Sequence, residues 1–226
     1  YSNNAFLATK ISFINSIANI CQNIPNANVR TISYAIGKDP RIGSLFLNAG
    51  PGFGGSCLPK DLSALINFTR NLGDTNSLLT EVKTINQKQP QKIIDLMKKM
   101  NILKKKNIIS IFGLSFKKNT DDIRYSVSTE IVKKLLKKEL IIKVHDPMAM
   151  KNFEKIFKNK ILYSKSIKDC LKESNCCLVL TDWDVYKNIK KQDLVKCMKT
   201  PSLVDTRGIF EKKNFGSKNK DLIIKI

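Results

Sequence analysis

Apolar residues in the first part of the chain recur at helical spacing. Between Ala5 and Asn23, the positions Phe6, Leu7, Ile11, Phe13, Ile14, Ile17, Ala18 and Ile20 cover much of a helical surface, which predicts a helix buried against several others. Pro25 and Asn26 end it. A second helix is expected over 29–36 with Gly37 as its C-cap, and Asp39-Pro40-Arg41-Ile42-Gly43 forms the turn that follows. Further helices are expected at 58–72 and 76–88, parted by Gly73-Asp74, and another from Pro90 to Met100. This half reads as helix throughout.

Beyond Lys106 the period changes. The compact apolar run 107–112 ends in Gly113 and fits a strand buried on both faces. A helix capped by Ser126 or Ser128 reaches about 138, and a strand 140–145 closes at Asp146-Pro147. Helix 149–158, strand 161–163, helix 166–173, strand 176–181 and strand 202–205 follow. Strands alternating with helices imply a doubly wound parallel sheet, so the chain reads as an α/β protein: residues 1–106 helical, residues 107–226 α/β. Ligands in such sheets lie beyond the carboxyl ends of the strands. Those ends carry residues 113–118, Asp146, Thr181-Asp182-Trp183 and Asp205-Thr206-Arg207. No GxGxxG fingerprint opens this half, so it does not read as a dinucleotide-binding domain. Phe116-Lys117-Lys118 suits a nucleotide's base and phosphates, or a plain surface loop.

The densest cluster of special-purpose residues is Gly50-Pro51-Gly52-Phe53-Gly54-Gly55-Ser56-Cys57-Leu58-Pro59-Lys60-Asp61. Glycine allows backbone freedom and close approach, so the run predicts a loop that touches something beside Cys57. Pro59, Leu62, Leu65 and Ile66 read as a helix starting near Ser56 and Cys57. A helix N-terminus and a neighbouring ammonium such as Lys60 both favour a thiolate, and Asp61 returns to the same face one turn on. On these residues alone a nucleophilic thiol and a structural cysteine in a glycine turn both remain open.

The net charge of +21 invites a nucleic-acid partner, but lysine supplies nearly all of it. Arginine, on which base readout and bidentate phosphate clamps lean, occurs only at 30, 41, 70, 124 and 207. The lysines are scattered over helix faces, so solvated charge is expected and no nucleic acid. No apolar run reaches about 18 residues, which leaves no membrane-spanning partner segment. The cysteines at 21, 57, 170, 176, 177 and 197 form no CxxC pair and have only His145 beside them, so no metal site is expected. Reduced thiols imply a cytoplasmic setting. Cys176-Cys177, inside CCLVLT, reads as core strand. The chain begins at Tyr1 with no charged leader, and is expected to be a segment of a longer protein.

Taken in order, NNAFLATKISFIN, DPRIG, GFGGSCLPKD, GLSFKKNTDDIR, HDP, TDWD and VDTRGIF resemble the nucleotide-sugar 6-dehydrogenase family over essentially the whole chain. The resemblance implies a central dimerisation domain carrying the cysteine loop, then a domain that binds the nucleotide-sugar. The family's N-terminal NAD-binding half, with a catalytic lysine immediately before Tyr1, is missing. It implies Cys57 as nucleophile, Asp61 and Asn4 as its polar supports, and Lys60 and Arg124 as NAD contacts. Asn48, Phe53 and Gly54 of the 48–54 loop, with Phe116, Lys117 and Arg207, would hold the nucleotide-sugar, and Arg41 would reach the substrate of a neighbouring subunit. A homodimer or higher homo-oligomer follows. Tyr125, Thr206 and Asn48 depart from the commonest pattern, the last at a substrate contact. GSCLPKD also occurs in relatives acting on GDP-mannose and N-acetylated UDP-sugars, whereas DPRIG and VDTRGIF favour UDP-glucose. The implied chemistry is NAD-dependent oxidation of the sugar's C6 alcohol to a carboxylate through a thiohemiacetal and thioester on Cys57, with this chain by itself inactive. A non-catalytic nucleotide-binding dimerisation module is the alternative.

Overall fold

A computed structural model describes residues 1–210 and the strand 223–225. The helical part consists of α1 (Ser2–Cys21), α2 (Val29–Gly37), α3 (Leu58–Asn71) and α4 (Ser77–Lys99), with α1 packed on α3 and α4. Its core is two small clusters, Ala5, Ala8, Phe53, Leu62, Ile66 and Val82 in one and Ile14, Ala18, Val29 and Leu47 in the other. The α/β part follows as β1 (Ile108–Phe112), α5 (Val127–Leu136), β2 (Ile141–His145), α6 (Met150–Phe157), β3 (Leu162–Tyr163), α7 (Ile167–Leu171), β4 (Cys176–Val179), α8 (Lys191–Cys197), β5 (Leu203–Asp205) and β6 (Ile223–Lys225).

All strand pairs are parallel, in the order β3-β2-β1-β4-β5-β6. This is the doubly wound order, whose switch point lies between β1 and β4. Phe112 at the end of β1 is in register with His145 and with Val179, which brings the three strand-end loops together. Each face of the sheet has its own core. One holds Ile109, Ile111, Ile131, Leu135 and Phe153, the other Phe112, Cys177, Val179, Tyr186 and Leu194. Cys176 and Cys177 are fully buried, as the strand reading required.

Three of the expected helices differ from expectation. The sequence predicts separate helices 76–88 and 90–100, yet α4 runs unbroken with Pro90 inside it. An interior proline costs about 3 kcal/mol or more. Here the helix is anchored on both sides of it, by Val82 in the helical core and by Ile93, Ile94 and Met97 in the sheet's core. Gly37 is not the cap: α2 ends on it and Lys38 caps, while the backbone of Ser44 approaches to 3.0 Å from where a Gly37 Cβ would stand. Finally, α1 buries only one side, through Ala5, Ala8, Ile14 and Ala18. Phe6, Phe13 and Ile20 are 64%, 52% and 56% exposed. α8 and β6 were not anticipated; α8 has only Leu194 buried, too little for a periodic signal.

Candidate functional site

The cysteine loop turns its backbone inward. Gly50 to Gly55 are all buried, whereas Cys57 is exposed at the N-cap of α3. Two asparagines hold the loop. The amide of Gly50 donates to Asn15 Oδ1 at 2.8 Å; Phe53 N donates to Asn86 Oδ1 at 2.8 Å, and Asn86 Nδ2 donates back to Phe53 O at 3.0 Å. The glycines are required by contact with the α/β part. A Cβ on Gly54 would overlap the carbonyl oxygen of Tyr125, and one on Gly55 (φ +81°) would stand 2.6 Å from the Phe116 ring. Gly55 N also donates to Arg124 O at 2.9 Å. The something that the loop touches is therefore the segment after β1. Gly54→Ala should disorder the loop and destabilise the chain by about 1–3 kcal/mol, because its neighbour is backbone that has nowhere to move. Chemical denaturation with Cys57 alkylation as a local probe checks this.

Around Cys57 the polar groups form a short chain. Asn4 Nδ2 donates to Asp61 Oδ2 at 2.6 Å, and Lys60 Nζ lies 3.3 Å from Asp61 Oδ1. The bond from Asn4, then that from Lys60, holds the Asp61 carboxyl below its ordinary range, and Asp61 in turn raises Lys60. Cys57 is near enough for its charge to act on both Lys60 and Arg124, although the main influence on Arg124 is its fork onto Asp122 at 2.8 to 3.1 Å. Ser56 Oγ is 3.6 Å from Cys57 Sγ. Three other thiols are unsuited to this role: burial pushes Cys170 and Cys176 up to about 12, and Cys177 well up. An exposed thiol at a helix start, beside an ammonium and a bound carboxylate, is equipped to attack an electrophile.

The strand ends are organised by a residue whose role the sequence did not reveal. Asp146 Oδ2 accepts from the amides of Leu114 and Ser115 at 2.7 and 3.2 Å and from Trp183 Nε1 at 3.1 Å; Oδ1 accepts from Met148 N and Ala149 N at 2.9 and 2.8 Å. The amides that would face a pyrophosphate in a dinucleotide turn are thus occupied. A dinucleotide does not fit this turn. Thr181 Oγ1 donates to Ser115 O at 2.7 Å, pinning the loop that carries Phe116. Lys117 Nζ lies 5.5 Å over the Phe116 ring, a cation on an aromatic face.

Beneath these loops, His145 Nδ1 is 3.1 Å from Tyr186 Oη, and Tyr186 Oη donates to His145 O at 2.8 Å. Burial lowers His145 from its ordinary 6.5, against the pull of Asp146. The unfolded chain then binds more protons than the native one below about pH 6.5, so this contribution to stability is full above that value and falls as pH drops towards the folded pKa. His145 is the only histidine in the chain. His145→Gln should therefore flatten the pH dependence of the melting temperature between about pH 7 and pH 5, and an unchanged slope would contradict it.

The predicted residues fall into two groups and one outlier. Cys57, Asp61, Asn4 and Lys60 stand together, with Phe53, Gly54, Phe116, Lys117 and Arg124 at the other side of the loop. Asn48 and Arg207 meet at the loop's beginning, where a small pocket is lined by Arg30, Asn48, Ala49, Arg207 and Gly208. Arg41 is the outlier, its side chain 88% exposed and paired with Asp39 at 2.7 Å. Asn15 and Asn86 were missed, and Asp146 was read only as a strand-end position, because polar residues within apolar helices or at a strand end carry no local signal of the backbone they will hold.

Comparison with known proteins matches the two parts of the chain to two domains of one family. Residues 1–88 match the central domain of the UDP-glucose/GDP-mannose dehydrogenase family, and residues 110–212 match that family's UDP binding domain. A UDP-glucose 6-dehydrogenase of Rickettsia bellii is 40% identical over 214 residues, covering 93% of this chain and 49% of that protein. One from Bacillus subtilis is 38% identical over 210 residues, 93% of this chain and 45% of that protein. A solved UDP-glucose dehydrogenase from Pyrobaculum islandicum superposes with a TM-score of 0.85 at 29% identity, over 96% of this chain and 50% of that one. The chain thus spans about half the length of the curated relatives it matches. A cysteine loop on a helical domain, seated against the strand ends of a doubly wound sheet, defines the nucleotide-sugar dehydrogenase class of oxidoreductase. Within it, the chain belongs to the UDP-glucose/GDP-mannose dehydrogenase family, whose central and UDP-binding domains it contains.

Proposed function

We propose that this chain is the thiol-bearing and sugar-nucleotide-binding part of an NAD-dependent UDP-glucose 6-dehydrogenase. The observation that carries this is the seating of Gly54 and Gly55 on Phe116 and Tyr125, which places Cys57 next to the strand-end loop suited to a nucleotide. Phe116 offers a face for the base, Lys117 and Arg207 offer positive charge for the phosphates, and Asn48 to Gly54 border the sugar. The C6 alcohol would lose one hydride to become an aldehyde, to which Cys57 adds as a thiohemiacetal; loss of a second hydride, with one NAD per hydride, would give a thioester that water hydrolyses to the acid and the free thiol. Covalent capture keeps the aldehyde from escaping and converts it into a good hydride donor. Asp61, held by Asn4, orients the hydrolytic water, and Asn4 donates to developing oxyanion charge. NAD supplies the hydride acceptor. Lys60 and Arg124 beside Cys57 are the residues suited to contact it, while the turn after β1 is not a place for it.

We assign the uncovered side of α1 to a second copy of the chain. Phe6, Phe13 and Ile20 recur at a spacing of seven and form one exposed apolar line, which favours a two-fold contact. Arg41, exposed and paired with Asp39, is the residue we assign to the partner's substrate.

Calorimetric titration with UDP-glucose, GDP-mannose and a UDP-N-acetylhexosamine tests the substrate. UDP-glucose should bind at least tenfold more tightly than GDP-mannose. Equal or reversed affinity would move the assignment to another member of the family. Absence of any nucleotide-sugar binding by the folded chain would overturn the function.

A further inference from the structure

The sequence contains three Asp-x-Arg tripeptides, 39–41, 122–124 and 205–207. In each, the arginine amide donates to the aspartate Oδ1, at 2.9, 2.8 and 3.1 Å. In the first two the guanidinium folds back onto the same carboxylate, with Nη2 to Oδ2 at 2.7 and 2.8 Å. The third behaves differently. Arg207 Nε donates to Leu180 O at 2.8 Å, and Asp205 Oδ2 accepts instead from Phe210 N at 3.0 Å. Among the described residues, Arg207 has no salt bridge.

A second guanidinium comes to the same place. Arg30 Nη2, from the start of α2, donates to Arg207 O at 3.0 Å and to Gly208 O. The packing is reciprocal between the two parts of the chain. Arg207 Nη1 from the α/β part packs 3.2 Å from where a Gly50 Cβ would stand, and Arg30 from the helical part fills the space of the absent Gly208 side chain. Arg30 has no salt bridge among the described residues either. Both arginines line a pocket of about 30 Å³ whose other walls are Val29, Ser33, Leu47, Asn48, Ala49 and Gly208, with no carboxylate among them. That volume admits a phosphate oxygen and excludes a sugar ring. Asp182 acts on Arg207 from outside these walls, but two guanidiniums that face one pocket still repel each other, and an anion between them relieves this.

We propose that Arg30 is a specificity-determining residue of the nucleotide-sugar site, which joins Arg207 in holding a phosphate oxygen of a nucleoside diphosphate. This role rests on the nucleotide-sugar site proposed for the chain. Arg30 then selects phosphorylated ligands over the bare nucleoside and fastens the helical part onto the α/β part when the ligand is present.

Titration of the full chain with UDP and with uridine, for the wild type, Arg30→Gln and Arg30→Lys, tests it. Removing one charge-assisted hydrogen bond to a phosphate should weaken UDP binding by about tenfold in Arg30→Gln. Uridine affinity should stay unchanged, and Arg30→Lys should keep most of the preference for UDP. The melting temperature of each variant distinguishes unfolding from weakened binding. A UDP-to-uridine affinity ratio in folded Arg30→Gln equal to that of the wild type overturns the role of Arg30 and leaves the site assignment standing. A folded wild-type chain that binds no UDP overturns the site assignment itself.

Discussion

Cys57→Ser, introduced into the enzyme completed with a dinucleotide-binding half, should reduce acid formation to background while leaving UDP-glucose affinity within about twofold of wild type. A serine hydroxyl is a weak nucleophile at its free pKa, and the Cys57 environment has no adjacent general base comparable to a histidine to activate one. Asp61, the nearest carboxylate, is already committed to Asn4 at 2.6 Å and Lys60 at 3.3 Å. Cys170, Cys176 and Cys177 are fully buried and cannot substitute. Acid formation measured by product analysis at wild-type rates would remove Cys57 from the chemistry. The same variant tests the assignment of Arg41: mixed with Arg41→Ala subunits, it should recover activity, since a heterodimer then has one site with both residues. No recovery after verified subunit exchange would place Arg41 in its own subunit or outside the site.

The 226-residue chain by itself should bind UDP-glucose and fail to reduce NAD. In the function proposed above, Phe116, Lys117, Asn48 and Arg207 hold the sugar-nucleotide beside the exposed thiol of Cys57. Among the described residues, the strand-to-loop turn that follows β1 offers no cradle for a dinucleotide, because Asp146 occupies the Leu114 and Ser115 amides. Without a held acceptor, the advantage of positioning is forfeited, and that alone is worth roughly 7–11 kcal/mol of barrier. Absorbance at the NADH band should stay at background while calorimetry registers binding. Turnover by the purified chain would show that the acceptor is held by residues to which we give other tasks.

Much of the architecture was legible in the sequence because it depends on local rules. The buried apolar runs ending in Gly113 and Asp205 marked their strands, since side chains buried on both faces of a parallel sheet leave no polar alternation, whereas β2, before Asp146, alternates between buried and more exposed positions. The start of α3 at Cys57 was written in Pro59 and the glycines before it. The order of motifs marked the family. Pro90 suggested a break that does not occur because propensity is local, whereas the packing that carries α4 through it comes from cores on both sides.

The site itself was a matter of tertiary structure. The sequence determined that a cysteine sits on a glycine loop at the start of a helix and that a doubly wound sheet follows it. Only the fold decided that Gly54 and Gly55 close on Phe116 and Tyr125, that Asn15 and Asn86 hold the loop, that Asp146 ties the strand ends, and that Arg207 leaves its own aspartate while Arg41 and Arg124 do not. These contacts join residues far apart in the chain, so neither periodicity nor spacing encodes them. Identical Asp-x-Arg tripeptides reach different ends because the guanidinium goes to whichever acceptor the surrounding fold brings within hydrogen-bonding distance, and for Arg207 that acceptor is a carbonyl at the end of a neighbouring strand.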